Sequence, residues 1–145
     1  MLNKPKITWY IQEDNDYIQD NEYYLGSCTP ESEIKIKVQV WNNRYGKDSV
    51  ENIPNARLAI YFDNLEDGVM LNYCFVSIND SVPIELPIMF GKGIIDLGLL
   101  SGSSNNGSDT MDNVYNFKNI AITFKDFPPT LKNGLKNMFL DIELD

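Results

Sequence analysis

Glu33-Ile34-Lys35-Ile36-Lys37-Val38-Gln39-Val40-Trp41 decides the fold class. Successive side chains of an extended chain point to opposite faces, so a period of two marks a half-buried strand. Here Ile34, Ile36, Val38 and Val40 take one face, and Lys35, Lys37, Gln39 and Trp41 take the other. The same alternation recurs downstream, with Leu58, Ile60 and Phe62 against Arg57, Ala59 and Tyr61. Ile120, Ile122 and Phe124 alternate with Ala121, Thr123 and Lys125. Met138, Leu140, Ile142 and Leu144 alternate with Phe139, Asp141 and Glu143.

Four further stretches complete the set. Ile7 to Ile11 and Ile94 to Leu100 are short apolar strands, and Val69 to Ile78 is a longer one with both faces partly buried. Ile84, Leu86, Ile88 and Phe90 alternate with Pro83, Glu85, Pro87 and Met89. Proline has no N–H to donate to a ladder, which places that strand at a sheet edge or makes it irregular. No segment carries a sustained helical period; Leu131 to Asn137 is long enough for one turn. Asn42 to Gly46, Asp63 to Gly68, Asn79-Asp80-Ser81 and Pro128-Pro129 separate the strands with turn-forming residues. About eight strands at this spacing predict an all-β protein, an antiparallel β-sandwich of immunoglobulin-like or jelly-roll type. At 145 residues and 43% hydrophobic content, residues 1–145 form a single domain with a core of its own. Ile34, Ile36, Val38, Val40, Leu58, Ile60, Phe62, Ile120, Ile122 and Phe124 are its expected inner faces.

Two segments stand apart. Gln12 to Glu33 carries seven acids, no Lys or Arg, and Tyr17, Tyr23 and Tyr24, with little strand pattern. It is expected as an acidic arm or long loop that contacts a partner. Ser101 to Asn113, SGSSNNGSDTMDN, is long and poor in apolar residues, so it is expected to be mobile or ordered by a partner.

Chemistry is bounded mainly by what the chain lacks. It has no histidine, the commonest general base and transition-metal ligand. Neither GxSxG nor a phosphate-cradling GxxxxGK[ST] loop occurs. The expectation is a protein that is not an enzyme and takes no cofactor. Cys28 and Cys74 are too few for a thiolate zinc site; they are one bridge if oxidised, two buried thiols if reduced. Asp63 to Gly68 and Asn105 to Asp109 cluster oxygens of the kind calcium prefers, without the EF-hand spacing; an ordinary turn has the same composition. The net charge of −9, with only two arginines, argues against a nucleic-acid partner. No apolar run approaches the ~20 residues that span a membrane, and no export signal follows Met1. The exposed aromatics Trp41, Tyr45 and Tyr61 join the three arm tyrosines as interface candidates. They suit a protein contact or sugar stacking, unless the second face is covered within the chain.

Lys37 to Gly46 followed by Asn55 to Phe62 resembles bacterial and phage immunoglobulin-like modules, in which a strand ends in Asn and Gly before a short loop. Asn, Ile, Lys, Tyr and Phe, all with AT-rich codons, supply 57 of the 145 residues. In that style the chain resembles small structural proteins of tailed bacteriophages, and is similar to those of crAss-like phages. The resemblance implies a virion component made in the bacterial host cytoplasm. It would be a capsid decoration protein, or a ring or collar component of the neck or tail. Its partners would be other virion proteins or further copies of itself. A bacterial immunoglobulin-like adhesion or carbohydrate-binding module is the alternative.

Overall fold

The computed structural model describes residues 1–144. It is a β-sandwich, 49% strand and 8% helix. The alternating stretches fall in it as β1 (Ile7–Ile11), β4 (Ile34–Asn42), β5 (Ile53–Tyr61), β6 (Cys74–Ile78), β9 (Lys92–Leu100), β10 (Phe117–Phe124) and β11 (Gly134–Glu143). Four short or weakly patterned strands complete the sheets: β2 (Asp16–Tyr17), β3 (Glu22–Cys28), β7 (Ile84–Glu85) and β8 (Ile88–Met89). One sheet has the order β2-β1-β4-β10-β6-β7 and the other β3-β11-β5-β9-β8, with antiparallel pairing throughout.

The inner faces are those the alternation predicts, with one exception. Ile36, Val38, Val40, Leu58, Ile60, Phe62, Ile120, Ile122 and Phe124 are buried. Ile34, at the start of its strand, is only half-buried. Ile120 pairs with both Val38 and Ile78, so β10 is the central ladder of its sheet.

Several expectations need correction. Val69 to Ile78 is not one strand. Asn64 accepts a 2.7 Å hydrogen bond from the Asp67 N–H and starts a single α-turn, Leu65–Gly68. A 3-10 turn, Val69–Tyr73, then drives Met70 and Leu71 into the core before β6 begins. No turn of helix forms over residues 131–137; β11 already runs from Gly134. Gln12 to Glu33 is not an arm. It closes the β1–β2 hairpin and supplies β3, which pairs with β11 from Cys28↔Gly134 to Glu22↔Phe139. Its acids stay in water while Tyr23, Leu25 and Cys28 pack on the core.

Ser101 to Asn113 is likewise held by its own chain. Amide side chains do the work that a ladder does elsewhere. Asn116 donates to the Ser101 and Ser103 carbonyls, both at 2.9 Å. Asn43 donates to the Gly102 carbonyl at 2.9 Å, and Asn113 to the Ser108 carbonyl at 2.7 Å. Gly102 has to be glycine, since a Cβ there would lie 2.3 Å from the Val50 carbonyl oxygen.

Pro83 and Pro87 act as their missing donors predict. The chain from Ile84 to Met89 is split into two two-residue edge strands, one in each sheet. Between them Leu86 turns inward, 5% exposed, and plugs the open side of the sandwich. Gly93 opposite it leaves the space; a Cβ there would sit 2.1 Å from Leu86.

Candidate interaction surfaces

The six interface candidates separate into three environments. Trp41 is fully buried, which corrects its placement on an exposed polar face. It stacks on Phe117 across the β4–β10 ladder with centroids 4.6 Å apart, and its Nε1 donates to Gln39 Oε1 at 3.1 Å. The cover comes from the chain itself. Arg44, just past β4, lays its guanidinium over the rings of Tyr10, Trp41 and Tyr45, at 3.8, 5.1 and 4.9 Å. The same group donates to the Tyr17 hydroxyl at 2.9 Å and to the Gly107 carbonyl at 3.1 Å. Tyr17 is therefore half-buried in this cluster. Tyr45 stays 60% exposed at its rim, with a backbone φ of 61°.

Tyr23 faces inward opposite Met138. Burial first, then the nearby charges of Asp14 and Glu13, push its phenol pKa up. Tyr24 faces outward opposite Asn137 and is 58% exposed. Tyr61 lies on the same outer face, directly opposite Phe139, their rings stacked with centroids 5.4 Å apart. Lys92 sits 4.8 Å from the Tyr61 ring and 3.4 Å from Glu143. This patch is aromatic, flat and half-covered.

The outer face of the other sheet holds an open polar cleft of about 200 Å³, lined by Gln12, Lys37, Gln39, Ser77, Asp80 and Asn119 with Ala121 among its walls. Its amides are partly engaged. Gln39 Nε2 donates to Asn119 Oδ1 at 2.9 Å, and Gln12 Nε2 to Asp109 Oδ2 at 2.7 Å.

The two oxygen clusters singled out for calcium have protein partners. Asp67 accepts from Lys136 Nζ at 2.6 Å and from the Asn64 amide at 3.1 Å. Asn105 Oδ1 accepts from the N–H groups of Tyr45 and Gly107. Cys28 and Cys74 are both buried free thiols. Among the described residues no helix is long and apolar enough to cross a membrane.

The most apolar exposed surface is one that aromatic residues alone do not reveal. Val82, Ile84, Ile88, Met89 and Phe90 are 82%, 48%, 45%, 54% and 97% exposed along the β7–β8 margin. Beside them an open groove of about 600 Å³ runs in between the two sheets, past Ile78, Ile94 and Ile95 to Val76. The two prolines mark this margin in the sequence as an edge. The alternation groups Ile84, Leu86, Ile88 and Phe90 on one face, of which the fold buries only Leu86.

No family model matches the chain, and neither a curated protein nor a solved structure is significantly similar to it.

Proposed function

We propose that this chain is a non-enzymatic structural component of a tailed-bacteriophage particle that works through protein–protein contacts. A capsid decoration protein and a ring or collar component of the neck or tail are the roles that suit it. The observation that carries the contact reading is the apolar β7–β8 margin, since exposed apolar patches of this size mark interaction surfaces. The phage assignment is supported by the residue usage, and the likeness of Lys37 to Gly46 and Asn55 to Phe62 to bacterial and phage immunoglobulin-like modules agrees with it. Partner choice then falls to shape and charge, with the exposed acids of the β2–β3 side set against basic partners. Negative-stain images of purified protein, alone and mixed with virions, test this. Regular density added to capsid, neck or tail supports it; virions that stay undecorated at saturating protein count against it. Capsid, portal or terminase genes beside its own gene would agree.

The polar cleft around Gln39 and Asn119 favours a second reading, a bacterial adhesion or carbohydrate-binding module. Amides, a lysine and a carboxylate arranged around a shallow cleft suit the hydroxyls of a neutral sugar. Titration calorimetry with oligosaccharides distinguishes the two, because Gln39→Ala and Asn119→Ala would remove heat of sugar binding and leave virion decoration intact.

A further inference from the structure

We propose that the β7–β8 margin joins two copies of this chain in a two-fold dimer, with Phe90 of each copy seated in the inter-sheet groove of the other. The inference deepens the protein-contact reading, on which it rests.

The first observation is the backbone of Phe90. Phe90 and Gly91 are the two central residues of the β8–β9 hairpin, with φ of 53° and 78°. Two successive left-handed residues form the tight hairpin turn that matches strand twist, and its first position favours Asn. The neighbouring turn follows that preference: Asn79 and Asp80 hold φ of 51° and 61°. Phe90 occupies the equivalent position with a bulky ring, which is conformationally costly, and the ring is 97% exposed. Strain of this kind, at an exposed tip, points to a role outside the monomer.

The second observation is the receptor. The adjacent groove, about 600 Å³, has Ile78, Ile84, Ile88 and Ile95 on its walls, with one charge of each sign, Arg57 and Asp96, register partners on β5 and β9. A knob and a hole on one margin make that margin self-complementary, the property a two-fold interface needs. Ile88 of the groove wall lies two residues before Phe90, and Ile95 lies three residues into β9, ~10 Å from its start by strand rise, so knob and hole adjoin on one margin.

The kind of contact follows from the prolines. Pro83 and Pro87 remove donors from both edges, and each edge strand is two residues long. Edge-to-edge strand addition is therefore disfavoured, and side chains must carry the contact. The five exposed apolar residues leave on the order of 600 Å² per copy, about 1,200 Å² for the pair, the lower end for specific interfaces.

Charge selects this edge over the others. Val82 to Gly91 contains one charged residue, Glu85, in a chain of net −9. The acid-rich side, β2 and β3, forms the opposite edge of each sheet. A two-fold through β7–β8 holds the two acidic edges far apart.

Sedimentation equilibrium of the full-length chain tests the proposal. The expected wild-type species has twice the 16.6 kDa chain mass, and added salt does not dissociate it, because the contact is apolar. Phe90→Asn suits the left-handed turn better than Phe, so that variant should fold and melt no lower than the wild-type monomer. Its dimer dissociation constant should rise tenfold or more, as for a central interface anchor. Ile88→Lys, at the groove wall, should do the same. A wild-type chain that stays monomeric at about 100 µM, far above the micromolar constant expected at this size, overturns the dimer. A dimer unchanged by Phe90→Asn overturns it equally. A monomeric chain that still decorates virions would refute the dimer alone, whereas a dimer that decorates none would refute the particle reading alone.

Discussion

The Arg44 guanidinium lies 3.8 Å above the ring of Tyr10. This one contact joins the first strand to the end of β4. Through the Tyr17 and Gly107 hydrogen bonds of the same guanidinium, it also joins the β1–β2 hairpin to the Ser101–Asn113 loop. The planar fork of arginine can stack and donate at once; an ammonium cannot. Arg44→Lys is therefore expected to cost about 1–2 kcal/mol. Amide exchange should speed up first in residues 101–113 and in the hairpin, and later in β10. Uniform exchange across the chain would show that Arg44 is not the clasp.

Asp67 and Lys136 form an ion pair at 2.6 Å, with side chains only 15% and 6% exposed. Lys136 sits on the inner side of β11, so loss of its partner strands a cation. Asp67→Asn should cost about 3 kcal/mol in denaturant melts. Asp67→Asn with Lys136→Met should cost less than Asp67→Asn alone, because the double variant leaves no buried charge. Additive losses would show that the pair is not coupled.

The same pair sets an acid limb. Burial pushes the Asp67 carboxyl up, but hydrogen bonds from Lys136 and Asn64 and the Lys136 charge outweigh it and hold its pKa below the ordinary carboxylate value. A lowered folded pKa adds stability that is complete above the unfolded value, near ~4, and is lost as the pH falls through the folded one. Melting temperature should therefore drop more steeply below about pH 4 in wild type than in Asp67→Asn. Parallel curves would assign the acid limb to other carboxylates.

Burial alone pushes the Cys74 thiol up to about 12. Burial also raises Cys28, partly countered by the Lys136 charge. Thiolate is the reactive form, so neither should titrate with Ellman's reagent at pH 8 until the chain is unfolded. One fast equivalent from native protein would place a sulfur in reach of solvent.

Asn116 offers a loop-specific test. Asn116→Ala leaves the Ser101 and Ser103 carbonyls without their donor, a loss of about 1–3 kcal/mol. Limited proteolysis should then cut first within residues 101–113. Cleavage elsewhere at unchanged rate would show that other amides suffice.

The strands β4, β5, β10 and β11 were legible because a two-residue period over five or more positions leaves one partition into faces. β3 was not, for a local reason. Its pairing slips between Lys136 and Asn137, beside Gly26 at φ 81°, and a bulge reverses the parity of the residues that follow. Trp41 misled because alternation tells which face a side chain takes and not what covers that face. The cover is Arg44 with Tyr10 and Tyr17, brought from both flanks of β4. The asparagines carried a turn signal in the sequence. In the fold Asn42, Asn43, Asn113 and Asn116 are buried donors to carbonyls, several of them more than ten residues away in sequence, and no local pattern encodes that. The alternation puts Ile84, Leu86, Ile88 and Phe90 on one face, but the crossing between sheets at Leu86 breaks that frame, so Leu86 is buried and Phe90 exposed.

The pairing of β3 with β11 bears on how the chain comes off the ribosome. Cys28 finds its ladder partner in Gly134, and Ile34 in β4 finds Phe124 in β10, so both sheets wait on partners made on the order of 100 residues later. A nascent chain that ends before β10 can pair β1 with β4 and β5 with β9, but β3 has no neighbour at all and β4, β5 and β6 each still lack one, so these strands leave the tunnel with open edges. Closing such long loops costs entropy before any burial offsets it, which predicts folding in milliseconds to seconds, slow beside helical proteins of this length. The acids between Gln12 and Glu33 then have a use before the fold exists: they flank β3 while it waits, and like charges keep neighbouring nascent chains from pairing with it.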